Sequence, residues 1–240
     1  MSYFLVIGFV LGIRHAFDAD HLAAVTTLIL GRPTRRDSIR IGVVWGVGHA
    51  LMLLAAATIV LLGSGGIDPR FATLFESLAG VMLILLGLDV VRRAVVSGLH
   101  GHGHRHGPQE FHYHFHSHDE AVAHTVDPHV HSHAPLTLGR ACAVGIVHGL
   151  AGSAALILLS VAATPSLLLA ILYVVFFGVG TLAGMALVSA ALAIPFRFCA
   201  AAYPQRLQLA HAAAGCVSVA VGAWLILEPL LGVGLAGGSA

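Results

Sequence analysis

The sequence predicts an all-α polytopic membrane protein whose six transmembrane helices form two inverted three-helix repeats. Three observations carry this prediction. Of the 240 residues, 58% are hydrophobic and only 10% charged, with a mean hydropathy of +0.90, whereas a soluble domain carries about 25% charged residues. Six apolar runs reach the roughly 20 residues that a bilayer-spanning helix needs. Glycine and histidine patterns of the first half also return, in the same order, in the second.

The spans are expected at 3–30, 39–62, 72–96, 137–161, 166–194 and 206–231. Span one is too long for a simple crossing and contains charged residues, so a tilted, broken or partly re-entrant segment is predicted. It lacks a basic n-region and an A-x-A-like cleavage site, and is expected to stay as a membrane segment. Pro33, Pro69, Pro135, Pro165, Pro195 and Pro204 fall between the spans, where helix-ending residues belong. The domains are then 1–96, a first membrane repeat; 97–136, a flexible histidine-rich loop; and 137–240, a second repeat. Cys142, Cys199 and Cys216 are widely spaced without a CxxC pattern, which argues against a disulfide framework.

Arginine placement sets the expected orientation. Arg32, Arg35, Arg36, Arg40, Arg92, Arg93, Arg105, Arg140, Arg197 and Arg206 border one side, and Arg70 alone borders the other. The positive-inside rule then puts both termini outside the cytoplasmic membrane and the central loop in the cytoplasm.

The repeat rests on three matches. Gly12-Ile13-Arg14-His15 returns as Gly145-Ile146-Val147-His148, Gly46-Val47-Gly48 as Gly178-Val179-Gly180, and Gly80/Gly87 as Gly215/Gly222. An odd number of spans in each half inverts the second relative to the first. Transporters built this way bind substrate near the midplane, where the repeats meet.

The residues that carry chemistry are His15-Ala16-Phe17-Asp18-Ala19-Asp20-His21, set within span one. Ionisable groups are costly in a bilayer and mark functional sites, and two imidazoles with two carboxylates are ready ligands for divalent metals. At 1.5 Å per residue, His21 lies about 13 Å deep, and His15, His49 and His148 fall near the middle of their spans. On a regular helix His15, Asp18 and His21 share a face of about 120°, with Asp20 about 140° from His15. Either Asp18 is the ligand or the helix is unwound here. Arg14 and Asp18, at i,i+4, are expected to form a structural ion pair.

His15-x4-Asp20-His21 resembles the H-x4-D-H signature of nickel/cobalt permeases, and Gly48-His49 is similar to the glycine-histidine pair on that family's next helix. The resemblance implies Ni²⁺ or Co²⁺ transport, with His15, Asp20 and His21 at the substrate site and His49 close by. It covers spans one and two well and the rest only in hydropathy. Typical members have eight helices and later aspartate motifs; here stand six spans and His148-Gly149-Leu150-Ala151-Gly152-Ser153. The chain looks closer to the shorter urease-accessory nickel transporters and nickel/cobalt exporters.

The loop holds His100, His102, His104, His106, His112, His114, His116, His118, His124, His129, His131 and His133. Such tracts bind transition metals through neutral imidazole, and this one is expected to serve as an accessory metal loop, mobile without metal. Alternation at 111–116 also fits a short strand.

The expected function is a secondary permease moving Ni²⁺ and/or Co²⁺ through a midplane site of His15, Asp18 or Asp20, His21, His49 and His148, with the motif leaning to uptake. The alternatives are a nickel/cobalt efflux protein and a membrane metal-storage or accessory scaffold for metalloenzyme maturation. The metal is substrate and no resident cofactor is expected. The expected partners are the divalent ion, the lipid bilayer and cytosolic metallochaperones, with no nucleic acid. The chain has no lysine and no P-loop, which disfavours ATP-driven transport by this chain alone. It is not expected to be an enzyme: there is no H-E-x-x-H, and Glu76 and Glu228 lie near span ends.

Overall fold

The computed structural model describes residues 2–30, 34–62, 69–96, 100–106, 110–116, 138–150 and 166–231. Among them are seven helices: α1 (Ser2–His15), α2 (Ala19–Ile29), α3 (Arg35–Leu62), α4 (Pro69–Val96), α5 (Leu138–Gly149), α6 (Leu167–Ala202) and α7 (Pro204–Leu231). Four contain stretches long and apolar enough to cross a membrane: Arg35–Leu62, Thr73–Val95, Leu167–Ala200 and Arg206–Pro229. Their outward residues are apolar too. Leu51, Leu85, Leu187 and Phe198 are all more than half exposed, as suits a surface meeting lipid rather than water.

Span one is broken into two helices, as one of the two readings of its motif expects. The amides of Ala16, Phe17 and Asp18 close the end of α1 on the carbonyls of Ile13, Arg14 and His15 at 3.2, 3.0 and 3.1 Å. These i→i+3 bonds tighten the last turn and stop the helix. Asp18 is then extended, with φ −62° and ψ 149°, while its carbonyl accepts the Leu22 amide at 3.0 Å and opens α2. Two short helices thus replace one crossing. The Arg14–Asp18 ion pair does not form: Asp18 lies beyond the end of α1, so i,i+4 spacing no longer aligns the two, and its carboxylate meets His15 instead.

The other helix starts follow local chemistry. The Thr34 hydroxyl oxygen accepts the Asp37 amide at 3.0 Å, and the hydroxyl donates to Asp37 Oδ2 at 2.7 Å, capping α3. Pro69 and Pro204 open α4 and α7, at the one helical position that loses nothing by lacking an N–H. Pro195, expected as a terminator, instead lies inside α6. A membrane helix tolerates an interior proline where neighbouring helices or adjacent turns re-satisfy the freed carbonyl. Span four is described as far as Leu150, and its expected second half lies outside the described residues.

Packing pairs α4 with α7, α3 with α6, α3 with α5, and α1 with α6. Small residues set these approaches, as expected where the solvent is as apolar as the side chains. A Cβ on Gly12 would stand 2.1 Å from the Phe177 carbonyl oxygen, and one on Gly145 2.1 Å from that of Trp45. Gly80 and Gly222 each approach the other's carbonyl, as do Gly87 and Gly215. The Ser218 hydroxyl donates to Leu83 O at 2.9 Å across the α4–α7 contact. The core comprises one cluster around Val25, Ile41, Trp45, Leu83 and Met185, and another around Leu53, Tyr173, Val174 and Phe177.

In the histidine-rich segment, expected to be mobile, β1 (His100–His106) and β2 (Glu110–His116) form an antiparallel hairpin. The period-2 alternation of histidine with glycine and aromatic residues suits a strand. Its register pairs His100 with His116, His102 with His114 and His104 with His112. His118, His124, His129, His131 and His133 lie outside the described residues.

Candidate metal centre

Four helices supply the centre. His15 is the last residue of α1, Asp20 and His21 lie in the first turn of α2, and His148 is the penultimate residue of α5. His49 comes from the interior of α3. Helices that stop inside the bundle present their terminal side chains to its centre, where a continuous helix would carry them past it.

The four imidazoles are buried: His21, His49 and His148 are each 1% exposed and His15 8%. Ring centroids lie 4.4 Å apart for His15 and His21, 5.2 Å for His21 and His49, 5.4 Å for His15 and His49, and 4.5 Å for His21 and His148. Asp20 joins two of them. Its Oδ1 lies 2.9 Å from His21 Nδ1 and its Oδ2 3.1 Å from His148 Nε2. Oδ1 also accepts the His21 amide at 2.9 Å.

Asp18 is placed differently. Its side chain is 51% exposed and meets His15 Nδ1 at 2.7 Å from outside the cluster. A carboxylate in this position fixes the orientation of the His15 ring by accepting from Nδ1 when that nitrogen carries the proton. The two aspartates of the motif therefore have different positions: Asp20 sits between the buried rings of His21 and His148, and Asp18 touches His15 from the exposed side. Arg14 is exposed and apart from the cluster.

Several buried ring nitrogens lack a hydrogen-bond partner among the described residues: His21 Nε2, both nitrogens of His49, and His148 Nδ1. Leaving a buried polar atom unpaired costs about 1–3 kcal/mol. Such a concentration at one point calls for something to bind. One ligand atom each from His15, His21 and His49 lies within 4.8 Å of the others, and so does one each from Asp20, His21 and His148. Imidazole and carboxylate together suit first-row divalent cations such as Ni²⁺ and Co²⁺.

Sequence reasoning missed the walls of this centre. The Trp45 ring lies 5.6 Å from that of His21 and 5.9 Å from that of His148, and Phe177 lies 5.5 Å from His15. Trp45 was within reach of inspection, because it precedes His49 by one i,i+4 step on the same helix face. Phe177 is distant in sequence and carried no such signal.

Comparison with known proteins agrees with this chemistry. The chain is 32% identical over 192 residues to the urease accessory protein UreH of Bacillus sp. (strain TB-90), spanning 80% of this chain and 77% of that protein. It is also 31% identical over 98 residues to the cobalt transport protein NhlF of Rhodococcus rhodochrous. The chain belongs to the nickel/cobalt transporter family. Within that family it stands near the UreH-like members, which the shorter length and the motif departures led one to expect. The match to NhlF spans 40% of this chain and 27% of that transporter. A more distant relative, the chloroplast protein FOR GROWTH AND FERTILITY 1 of Arabidopsis thaliana, is 24% identical over 231 residues, or 95% of this chain and 60% of that protein. No family model and no solved structure matches. The UreH-like and NhlF relatives are accessory and transport proteins, in keeping with a family member that is not an enzyme.

Proposed function

We propose that this family member is a secondary permease that moves Ni²⁺ or Co²⁺ across the cytoplasmic membrane through the buried His/Asp centre. The observation that carries this reading is the junction of three buried imidazoles, each with a ring nitrogen that has no hydrogen-bond partner among the described residues, and a carboxylate, where α1 and α5 end against α2 and α3. Ionisable groups are costly within a bilayer and mark functional sites there. The name of the NhlF relative supports cobalt as cargo.

The permease reading includes six spans as two inverted repeats. Supporting it, Gly12 and Gly145 make equivalent close approaches, Gly12 of α1 to α6 and Gly145 of α5 to α3. Gly48 and Gly180 do likewise, approaching the Cys142 and Phe9 carbonyls, and the Gly80/Gly222 and Gly87/Gly215 contacts are reciprocal. Rocking of one repeat against the other would expose the centre to each side in turn. The arginine bias supports outside termini and a cytoplasmic histidine segment, where metal would meet cytosolic metallochaperones. The motif favours uptake over efflux.

A second reading, an accessory scaffold for metalloenzyme maturation, is favoured by the name of the UreH relative. Flux of radiolabelled Ni²⁺ and Co²⁺ into proteoliposomes separates the two. Transport by wild type that is abolished in His21→Ala is expected. Metal retained by the protein without any passage into the lumen would favour the scaffold.

A further inference from the structure

The buried ligands form two sets, and the sets share one residue. His15, His21 and His49 make up the first; Asp20, His21 and His148 make up the second. His21 Nδ1 is engaged by Asp20 Oδ1 at 2.9 Å. Its Nε2 is buried with no hydrogen-bond partner among the described residues, and is the ring nitrogen left for a cation. One lone pair holds one cation, so His21 cannot serve both sets at once.

From this geometry we infer that the centre comprises two alternative divalent-cation positions, between which a single Ni²⁺ or Co²⁺ passes, His21 serving each in turn. The inference rests on the permease reading and specifies its path. In the step, the ion leaves His15 and His49 and gains Asp20 and His148. Two metal–nitrogen bonds give way to one metal–nitrogen and one metal–oxygen bond, without redox change.

The two positions differ in charge. Three neutral imidazoles leave a bound divalent cation with its full charge, whereas the set containing Asp20 cancels one unit of it. In a low-dielectric interior that difference weighs heavily, so the two positions hold the ion unequally and the passage between them is ordered. His49 and His148 are diagnostic because each belongs to one set only.

The test uses full-length protein, so the histidine-rich segment contributes the same background to every variant. Purified wild type, His21→Ala, His49→Ala, His148→Ala and the His49→Ala/His148→Ala double variant are loaded with Ni²⁺, desalted, and their metal counted by mass spectrometry. Ni²⁺ flux is measured in parallel in proteoliposomes. Asparagine replacements at His49 and His148 stand in for any alanine variant that does not elute as a monodisperse species. Relative to wild type, His21→Ala and the double variant are expected to lose one ion. Each single variant at His49 or His148 keeps it, yet its flux falls by at least about tenfold. Loss of the ion in both single variants would show one indivisible site and overturn the inference while leaving the permease reading intact. Full flux in either single variant also overturns it. Absence of flux in wild type overturns the permease reading and the inference with it.

Discussion

His148 Nε2 lies 3.1 Å from Asp20 Oδ2, joining residues 128 positions apart through one buried contact. The same carboxylate holds His21 Nδ1 at 2.9 Å, so one side chain of α2 fixes two imidazoles from different spans. Asp20→Asn should therefore cost more than Asp18→Asn. The amide cannot accept from both rings as a carboxylate does, and it removes a negative ligand. Loss of a group that ligates or orients ligands typically lowers metal affinity or activity 10–100-fold, and that range is expected for Asp20→Asn. Asp18→Asn, with a half-exposed side chain touching one ring, should fall below it. Ni²⁺ flux measured against concentration for the two variants reads the difference, and the reverse order would assign the ligand to Asp18.

Glycine packing gives a second expectation. A Cβ on Gly145 would meet the Trp45 carbonyl oxygen at 2.1 Å, a backbone atom that cannot turn aside, whereas one on Gly139 meets nothing within 4 Å. Overpacking of this kind costs about 1–3 kcal/mol. Gly145→Ala should lower the unfolding midpoint in detergent by several degrees, and Gly139→Ala should leave it unchanged. The displaced backbone belongs to the turn of α3 that carries His49, so Gly145→Ala should also depress flux in protein that still folds.

Much of this was legible in the sequence because the bilayer penalises ligands so strongly. His15, Asp20 and His21 in an apolar run have few reasons to be there, and the angular mismatch of Asp20 made an unwound helix one of two readings, the one that α1 and α2 follow. His148 was legible only through the repeated Gly12/Gly145 pattern, since a lone buried histidine carries little information. What escaped depended on tertiary context. Arg14 and Asp18 have pairing distance on an ideal helix, but α1 ends one residue after Arg14. Pro195 marks a helix end in most settings, and inside α6 it does not. The strand at 110–116 was legible in the alternation, but its pairing with 100–106 was not.

Arg140 donates to Asp89 Oδ2 at 2.8 Å, tying the start of α5 to the end of α4, while Arg93 engages the same carboxylate. The three side chains are 43%, 35% and 63% exposed. Exposed pairs contribute roughly 0–1 kcal/mol, so Arg140→Ala should shift the unfolding midpoint only slightly, and less still at high salt. A large destabilisation would mean that the α4–α5 contact depends on this bridge rather than on apolar packing.

The histidine segment should release metal on acidification. His100, His102, His104, His106, His112, His114 and His116 lie in its two strands, and metal held by this segment competes directly with protons for imidazole. An ordinary histidine titrates near pH 6.5, and a ligand must be deprotonated to bind. The sign follows: Ni²⁺ retention is full above that pH and falls as pH drops through it. Full-length protein desalted at pH 7.5 should retain more Ni²⁺ than the same protein at pH 5.5, and a deletion of residues 100–133 should remove most of that pH-dependent portion. At saturating Ni²⁺ the deletion should leave flux near the wild-type rate, because the buried centre stays intact, and should slow it only when metal is scarce. Flux lost at saturation would transfer the essential chemistry to the hairpin.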